Sequence, residues 1–546
     1  MNPRQFRFAL VAILAVVVVG STLAVTRTPY SFFDPLIEVQ SVISRRYVEG
    51  PDEQAMQAGA ISGMLEALKD PYTVYVPAAE TREFTKELTG DYVGIGVQVV
   101  QKDGWLTVVA PLEDSPAFRA GVLSDDRIVE IDGKPTLGLA SDTCIQMLSG
   151  EAGAAVAIVV ERDGKRVPFT IVRERVIART VKGFHRINGG GGGGDGKNSW
   201  QYFIDPARRI AYIRLTQFTP TSAEEFKEAM ASIGAEKDAV GALILDLRWN
   251  PGGVLQDAVQ IADLFLGQGV IVSTRGRAKP EETTRATAEG TLPAFPIAVL
   301  INGSSASASE ILAGAIVEND RGVAVGTRTF GKGLVQAVVS LPSGAGQLKF
   351  TEQRYYLPSG RSINRDESSA EWGVDPSGGF YVPMTDEQTT AMLKVRREED
   401  AVRTARAAAD EKWSDPEWIV ERLKDLQLAA ALKAVQGRLA SGKWEPTGEA
   451  LPKGSDLASK DLERASRLRE RMEKELVKLE KRIEDLQAAA GEPAKPADLW
   501  ADADLTGGLV EVRDQSGKVV ARLRITGPDV ERWLIEADVK KDDGKK

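Results

Sequence analysis

Three short stretches of this chain combine residue types that can carry out acyl transfer. They read LDLRWNPGG (Leu245 to Gly253), INGSSASASE (Ile301 to Glu310) and TFGKGLVQ (Thr329 to Gln336). In the first two, a strand-like run enters a turn and then a helix-like run, which exposes backbone N–H groups that attract an anion. A serine hydroxyl beside such groups is suited to act as a nucleophile, with the N–H groups as half of an oxyanion hole.

The serines of the second stretch have a simpler explanation as well. Ser or Thr at the start of a helix usually caps it, and the glycine turn of the first stretch is, taken alone, an ordinary strand–helix connection. The four serines of the turn cannot all be caps, so at least one is available for chemistry. They are Ser304, Ser305, Ser307 and Ser309.

The third stretch supplies a base if Lys332 is neutral. The lysine pKa is about 10.4 in water, so burial among apolar groups must lower it by several units. Phe330, Leu334 and Val335 are the neighbours expected to provide that setting. Gln336 can hydrogen-bond to the amine without adding the negative charge that would raise the lysine pKa.

The same lysine matches most of a phosphate-binding P-loop, G-x-x-x-x-G-K, from Gly326 to Lys332. A P-loop requires Ser or Thr directly after the lysine, to hold Mg²⁺, and a helix after that. Gly333 occupies this position, and the strand-like run LVQAVVSL follows it. The sequence therefore disfavours a nucleotide-binding protein.

The composition excludes several other mechanisms. The chain of 546 residues has one cysteine, Cys144, and one histidine, His185, which rules out an internal disulfide and a Cys/His zinc site. His185 adjoins a glycine run typical of a surface loop, so we expect it at the surface and not as a catalytic base. A net charge of −9 argues against a nucleic-acid partner. We expect no metal and no cofactor.

The N-terminus predicts export. Arg4 and Arg7 precede an uncharged run of 18 residues, Phe8 to Val25, a length that suits a short membrane span or a signal peptide. Positive charge before the run keeps the N-terminus in the cytoplasm and sends the rest across the membrane. We expect residues 1–28 to form an uncleaved anchor, although Thr22 and Ala24 also suit a cleavage site.

Spacing and turn residues divide the rest of the chain into four regions. Residues 29–90 show the apolar spacing of helices. Residues 91–177 hold five short strand-like runs and two helices. Strands and helices alternate over 178–386, which indicates an α/β layered fold. Residues 387–546 are polar and helical, with a terminal hairpin and a seam over 461–487 that fits a coiled coil or a docked amphipathic helix equally well.

Taken together, these stretches resemble the C-terminal processing peptidases, also called tail-specific proteases. The matching runs cover about residues 30 to 380 in the family's order and include GAISGMLEALKDPYT, YVGIGVQV, SPAFRAGVLSDDRIVEIDG, LDLRWNPGG, SSASASEILAGAIVENDR, TFGKGLVQ and LPSGRSIN. The resemblance implies a multi-domain α/β protein. Its parts would be a ClpP/crotonase-like protease core, an inserted PDZ domain, an N-terminal helical segment and a helical, coiled-coil-containing C-terminal extension.

The resemblance also assigns roles to side chains. It implies that Ser307 is the nucleophile, that Lys332 is the general base and that Gln336 orients the lysine. The spacing of 25 residues from Ser307 to Lys332, and four more to Gln336, is the most specific match. Ser305 and Ser309 are the serines that could be mistaken for Ser307, and only this spacing separates them from it.

Two backbone features complete the implied site. The oxyanion hole would consist of the Ala308 N–H and an N–H of the turn after Asn250, from Gly252 or Gly253. The run YVGIGV would be the PDZ loop whose N–H groups bind a substrate's C-terminal carboxylate while the peptide adds a strand to the sheet edge. Without the other matches, a glycine-bent strand would explain this run. Its residues are Tyr92, Val93, Gly94, Ile95, Gly96 and Val97.

Three places depart from the family pattern. Ser149 stands where a basic residue often couples PDZ docking to activation, which leaves that coupling without its usual residue. The run Gly189 to Gly194 is an unusual insertion, and the last 160 residues match only partly.

The sequence thus predicts an exported serine endopeptidase of the bacterial periplasm or cell envelope, held at the inner membrane by residues 8–25. Its partners would be proteins and peptides with free apolar C-termini, and further copies of itself through the C-terminal helices. The alternative is a PDZ-based scaffold whose protease domain is inactive or gated by a partner. Intact Ser307, Lys332 and Gln336 argue against that alternative.

Overall fold

The computed structural model describes most residues between 31 and 451, together with short parts of the chain beyond. The predicted membrane anchor, the run Gly189 to Gly194 and part of the 461–487 seam lie outside the described residues. The ranges left out are 1–30, 82–83, 85–90, 103, 113–114, 178, 187–199, 238, 367–368, 370, 401–411, 452–465, 467–468, 471, 475, 484–508, 514–517 and 525–546. None of the helices in the described part of the chain has the length and apolar character that a membrane crossing requires.

Two helices open the described chain, as the apolar spacing predicts. They are α1 (Asp34–Arg46) and α2 (Glu53–Glu66). Asp52 caps α2 by accepting hydrogen bonds from two of its first N–H groups. The expectation of helix up to residue 90 is wrong after α2, because the chain then forms strand β1 (Val74–Pro77), which pairs antiparallel with residues 346–349.

Residues 91–177 form a β-rich body with more strands than the five predicted. Two helices belong to it, α3 (Pro116–Ala120) and α4 (Ser141–Leu148). The strands are β2 (Asp91–Gly94), β3 (Val97–Lys102), β4 (Trp105–Pro111), β5 (Arg127–Ile131), β6 (Lys134–Pro135), β7 (Ala155–Arg162), β8 (Lys165–Val172) and β9 (Glu174–Ile177). The sheet order is β3-β4-β5-β7-β8, with β6 on β5, while β2 and β9 pair with each other. Within the described residues, β3 therefore has one free edge.

The next region alternates strands and helices, as predicted. Its helices are α5 (Ser222–Ser232), α6 (Leu255–Asp263) and α7 (Ala308–Glu318), with a 3₁₀ turn at Ala235–Lys237. Its strands are β10 (Val181–Lys182), β11 (His185–Arg186), β12 (Trp200–Gln201), β13 (Phe203–Asp205), β14 (Ile210–Leu215), β15 (Ala242–Asp246), β16 (Val270–Gly276), β17 (Glu282–Arg285), β18 (Ile297–Ile301), β19 (Val323–Gly326), β20 (Leu334–Ser340) and β21 (Gly346–Tyr356).

A mostly parallel sheet forms the centre of this region. Strands β14, β15, β18 and β19 run parallel in that order, with β10 and β13 antiparallel on β14. Every residue of β14, β15 and β18 is buried, because apolar side chains cover both faces of the sheet. Helices α5, α6 and α7 cover one face, and the C-terminal part of the chain covers the other.

A second, antiparallel sheet lies beside the parallel one. Its order is β1-β21-β16-β17, with β20 also on β21. Lys332 immediately precedes β20, and β1 brings the N-terminal segment to the opposite edge of β21. This sheet therefore connects the N-terminal segment to the lysine-bearing loop.

The segment between residues 386 and 441 covers one face of the parallel sheet, and we call it the cap. It contains α8 (Asp386–Asp400), α9 (Pro416–Trp418), a π-helical turn at Ile419–Leu423 and α10 (Leu426–Ser441). Lys424 adopts a left-handed φ of 59° and separates the π-helical turn from α10. Helix α10 is buried over most of its first half, because it lies on the sheet rather than in solvent.

A buried ion network fastens this cap to the turn after β15. Arg248 is 2% exposed and donates hydrogen bonds to the carboxylates of both Asp246 and Asp425. Arg396 of α8 contacts the same two carboxylates, and its guanidinium lies 5.2 Å from the centre of the Trp249 ring. The turn that carries the predicted oxyanion groups is thus held from the cap side.

Residues 452–546 form a separate compact unit. Its described residues include the predicted hairpin, β22 (Leu509–Arg513) antiparallel to β23 (Val519–Arg524). Residues 466–483 are helical where they are described, in agreement with the predicted helical character.

Candidate active site

Parallel strands bring the three chemistry-bearing stretches to one edge of the sheet. The first follows β15, the second follows β18 and the third follows β19, and these strands are neighbours. Because parallel strands share one carboxyl edge, turns that are far apart in sequence meet there. The alternation of strands and helices in the sequence predicts such a sheet, and the sheet brings the three turns together.

Ser307 is the N-cap residue of α7 and has a strained backbone. Its φ of 56° and ψ of −116° lie outside the regions that serine normally adopts. Helix α7 is buried from Ala308 to Ile316, so its start is held firmly in the core. A strained turn between a buried strand and a buried helix fixes the serine at the sheet edge.

The two serines that resemble Ser307 in sequence have structural roles. Both are fully buried, and both tie the second stretch to the first. The Ser305 hydroxyl donates to the Leu247 carbonyl at 2.8 Å, and the Ser309 hydroxyl donates to the Asn250 carbonyl at 2.9 Å. Their hydroxyls are therefore committed to backbone, whereas Ser307 is half-buried.

Two backbone N–H groups beside Ser307 remain without acceptors within the described residues. They belong to Ala308 and Gly253. A Cβ added to Gly252 would lie 2.7 Å from Ser307 Cβ and 3.0 Å from the Ala308 nitrogen, which shows how closely the glycine turn approaches the serine. The Gly252 N–H itself donates to the Asn250 side chain at 2.9 Å. Of the two glycines that the sequence leaves open, Gly253 is therefore the available donor.

Glu310 links the serine turn to the lysine loop, and the sequence analysis did not assign it a role. Its carboxylate is fully buried and accepts four hydrogen bonds of 2.6 to 2.9 Å. The donors are the N–H groups of Ser307, Gly331 and Lys332 and the hydroxyl of Thr329. The S-x-x-E pattern of a capping box, from Ser307 to Glu310, is the sequence signal that could have revealed it.

Burial raises the pKa of Glu310, and its four hydrogen bonds oppose that rise by stabilising the carboxylate. Each donor comes from one of the two stretches that must stay aligned. We call this carboxylate and its four donors the Glu310 clamp.

The surroundings of Lys332 lower its pKa, the direction that favours a neutral amine. Burial, and then the positive charge of Lys349, hold the pKa of Lys332 below its ordinary value, while Glu310 opposes them. The side chain is half-buried, and its Nζ lies 4.7 Å from the centre of the Tyr72 ring. Within the residues that the structure describes, no hydrogen bond joins Lys332 Nζ to Ser307.

The predicted neighbours of the lysine are only partly in place. Phe330 is 47% exposed, so the expectation that it shields Lys332 is wrong. Val335 does pack against the core. Among the described residues, the buried Nε2 of Gln336 has no hydrogen-bond partner, so the predicted bond to Lys332 is not formed in this structure. The unpaired Nε2 is a donor, so it could bond to the lone pair of a neutral Lys332 amine in another position.

The chain is similar in sequence to known proteins. Three family profiles match in succession: the N-terminal domain of the activating protease CtpB over 25–81, a PDZ domain over 93–172 and peptidase family S41 over 209–377. A carboxy-terminal-processing protease of Bartonella bacilliformis is 33% identical over 415 residues, which cover 74% of this chain and 88% of that protein. The chain belongs to this family.

Two further matches share a smaller fraction of identical residues with this chain. A probable CtpA-like serine protease of Staphylococcus aureus is 29% identical over 359 residues, which cover 65% of this chain and 68% of that protein. Among solved structures, the photosystem II D1 C-terminal processing protease is 27% identical, covers 63% of this chain and 86% of its own, and gives a TM-score of 0.37. The present chain is therefore a serine peptidase with a multi-domain α/β fold and an inserted PDZ domain.

The run Tyr92 to Val97 consists of the end of β2, a loop of Ile95 and Gly96, and the first residue of β3. Gly96 has a φ of 77°, and its carbonyl accepts hydrogen bonds from the Ser115 hydroxyl and the Leu112 N–H. The Ile95 side chain is buried and the Ile95 carbonyl accepts a bond from Ala117. The carbonyls of this loop thus face the body of the domain, beside the free edge of β3.

Two further expectations concern the P-loop pattern and the histidine. The chain forms strand β20 directly after Gly333, so the helix that a P-loop requires is not there. His185 is half-buried rather than at the surface, and its Nδ1 lies 3.2 Å from Glu399 Oε2, within an aromatic group that includes Trp413. No group of residues in the described part of the chain could hold a metal ion.

Gly252→Ala is expected to lower kcat/KM for peptide cleavage by about 10²-fold, the lower range for loss of an oxyanion donor. The added Cβ would lie 2.6 Å from the Ala306 carbonyl and would push the glycine turn away from Ser307. Gly344→Ala is the matched control, because Gly344 also has a positive φ, of 75°, but a Cβ there meets no atom within 4 Å. Equal losses in both variants would mean that backbone strain alone, and not the oxyanion turn, is responsible.

Proposed function

We propose that the chain is an exported serine endopeptidase that binds free apolar C-termini through its PDZ domain and cleaves with Ser307 and Lys332. One observation carries the proposal. A strained serine, two backbone N–H groups without acceptors and a half-buried lysine of lowered pKa meet at the carboxyl edge of the sheet. This is the set of groups that acyl transfer requires, with no histidine among them.

The proposed acylation step transfers one proton through the lysine. Neutral Lys332 takes the proton from Ser307 Oγ as this oxygen bonds to the scissile carbonyl carbon. The carbonyl oxygen gains the negative charge and accepts hydrogen bonds from Ala308 and Gly253. Protonated Lys332 then gives the proton to the leaving nitrogen as the C–N bond breaks, and an ester remains on Ser307. Water, deprotonated by Lys332, hydrolyses the ester.

This mechanism requires the amine of Lys332 to reach the hydroxyl of Ser307. Catalytic hydrogen bonds are often absent in an unliganded enzyme and form only with substrate bound. Gln336 would orient the amine in that position, with its carbonyl oxygen accepting an N–H of the amine; its buried Nε2 has no partner in the described chain.

Substrate selection is proposed to occur at the PDZ domain. The free edge of β3 can accept one more strand, and the N–H groups of the loop from Tyr92 to Val97 are suited to a terminal carboxylate. Ile95 of this loop belongs to the apolar core of the domain, and this apolar setting is the reason to expect an apolar last residue.

The proposal extends to location and assembly. The charged-then-apolar N-terminus supports anchoring in the inner membrane, with the peptidase in the periplasm or cell envelope. Deletion of residues 1–28 should then release the protein from membranes on fractionation. The 461–487 seam supports self-association, so truncation after about residue 455 should yield monomers by light scattering, and an unchanged number of subunits would count against it.

The test uses the full-length chain and two peptide series that differ only at the C-terminus. One series ends in a free apolar residue, and the other ends in an amide or an aspartate. We expect the wild type to cleave the first series and Ser307→Ala to cleave neither. Binding of the first series without cleavage by the wild type would instead favour the scaffold or a partner-gated enzyme.

Gly96→Ala is expected to raise KM about tenfold with little change in kcat, because it damages recognition and not chemistry. Its added Cβ would lie 2.2 Å from Ser115 Cβ, at the base of the carboxylate loop. Gly133→Ala in the same domain is the matched control, since its φ is 75° and nothing lies within 4 Å of a Cβ there. A fall in kcat at unchanged KM would show that the PDZ loop does not bind the substrate.

A further inference from the structure

The amine of Lys332 rests on an aromatic ring from a distant part of the chain. Its Nζ lies 4.7 Å from the centre of the Tyr72 ring, within the range of a cation–π interaction. Tyr72 precedes Lys332 by 260 residues. In the described chain, the amine makes no hydrogen bond to Ser307 or Gln336, and the Tyr72 ring and the Glu310 carboxylate are the groups that attract it.

Tyr72 is held in place by a rigid turn and a strand. Its N–H donates to Asp70 Oδ1 at 3.0 Å, and the Thr73 hydroxyl donates to the other oxygen of Asp70 at 2.6 Å. The Thr73 hydroxyl also accepts a hydrogen bond from the N–H of Thr351. Directly after the turn, β1 pairs with β21, the strand on which β20 also lies. The ring is therefore a fixed part of the lysine's surroundings.

We propose that Tyr72 is a positioning residue that holds the ammonium form of Lys332 away from Ser307 in the resting enzyme. The lysine leaves the ring when it loses its proton and turns to the Ser307 hydroxyl and the Gln336 amide. This inference rests on the proposed role of Lys332 as the base and adds a second, resting position for it.

The physical basis is that an aromatic face attracts a cation and has little attraction for a neutral amine. Three groups face Lys332 from three different elements. The Glu310 carboxylate on α7 and the Tyr72 ring before β1 favour the ammonium form, whereas Lys349 on β21 disfavours it. Removal of the ring should therefore favour the neutral, catalytically competent amine.

The expected effect of Tyr72→Leu is a shift of the acid limb of the pH–kcat/KM profile by roughly half a pH unit toward lower pH. Below the midpoint, the variant should be about threefold faster than the wild type, since the limb reports the free enzyme's base. Tyr72→Phe keeps the ring and should keep the wild-type midpoint. Tyr72→Trp should move it to higher pH, because indole is the strongest cation–π partner.

A charge variant gives the opposite sign. Lys349→Gln removes a repelling charge beside Lys332 and should move the acid limb to higher pH. A limb that stays in place in folded Tyr72→Leu and Tyr72→Trp, or that moves equally in Tyr72→Phe, would overturn the role of the ring.

A second readout separates this inference from the proposed function. The rate at which acetic anhydride labels Lys332 can be followed against pH by peptide mass spectrometry, in a Ser307→Ala background that needs no turnover. The labelling midpoint should fall in the Tyr72→Leu variant. An unmoved labelling midpoint would defeat the inference even if cleavage depends on Ser307 and Lys332. A shifted midpoint in a chain that never cleaves peptides would defeat the proposed function alone.

Discussion

Ser307→Ala is expected to lower kcat/KM for peptide cleavage by at least about 10⁴-fold, while the thermal transition of the protein stays near that of the wild type. The hydroxyl is the only group lost, and Ser307 contributes its backbone N–H, not its hydroxyl, to the Glu310 clamp. Residual activity would come from the oxyanion groups and from substrate binding alone.

Matched serines in the same turn make this result specific. Ser304 is exposed, so Ser304→Ala should retain wild-type cleavage. Ser305→Ala and Ser309→Ala remove buried hydrogen bonds to the glycine turn and should lower stability and activity together. A loss confined to Ser305→Ala or Ser309→Ala, with Ser307→Ala still active, would contradict the assignment.

Lys332→Met should lose about as much activity as Ser307→Ala, and the double variant should lose little more. Groups that act as a unit in one step are strongly non-additive. If the loss in the double variant equals the product of the two single losses, the lysine and the serine do not share the proton transfer.

The second large effect is expected at the Glu310 clamp. Glu310→Ala leaves three backbone N–H groups and the Thr329 hydroxyl without their acceptor in a buried place, and each such group costs about 1–3 kcal/mol. With partial relaxation, we expect a loss of about 3–5 kcal/mol, comparable to that of a broken buried ion pair. The melting transition of the peptidase core should fall by on the order of 10 °C. Activity should fall by about 10³-fold, because the serine and lysine backbones lose their common support.

Glu310→Gln is the conservative comparison. The amide keeps the shape and one acceptor oxygen but places an NH₂ group against N–H donors. We expect about half the stability loss of Glu310→Ala and an intermediate activity. Calorimetry of both variants beside peptide assays below their transitions would test this. An unchanged transition in Glu310→Ala, or full activity in it, would show that the clamp does not align the site.

The sequence alone predicts the layered architecture and the location of the chemistry. Alternating strands and helices require a parallel sheet, and a parallel sheet brings the turns after β15, β18 and β19 to one edge. Ser307 and Lys332 follow from spacing within the resemblance. What spacing cannot give is the reason for choosing Ser307 over Ser305 and Ser309, which lies in two buried hydrogen bonds and one positive φ.

The remaining features depend on contacts between distant parts of the chain. Tyr72 reaches Lys332 only because β1 pairs with β21, a register that the helical pattern of residues 29–90 does not suggest. The outward position of Phe330 and the burial of α10 likewise follow from packing partners that are remote in sequence. Glu310 is a different case, because its capping-box spacing to Ser307 is present in the sequence itself.

The most direct test of the proposed mechanism is to trap the acyl-enzyme. Wild-type protein that is cleaving a peptide with a free apolar C-terminus would be quenched in acid within its first turnovers and mapped by mass spectrometry. The mechanism predicts that the N-terminal part of the substrate is attached as an ester to Ser307, with no such adduct in Ser307→Ala. Cleavage that proceeds with the adduct on another residue, or that continues at the wild-type rate in Ser307→Ala, would contradict it.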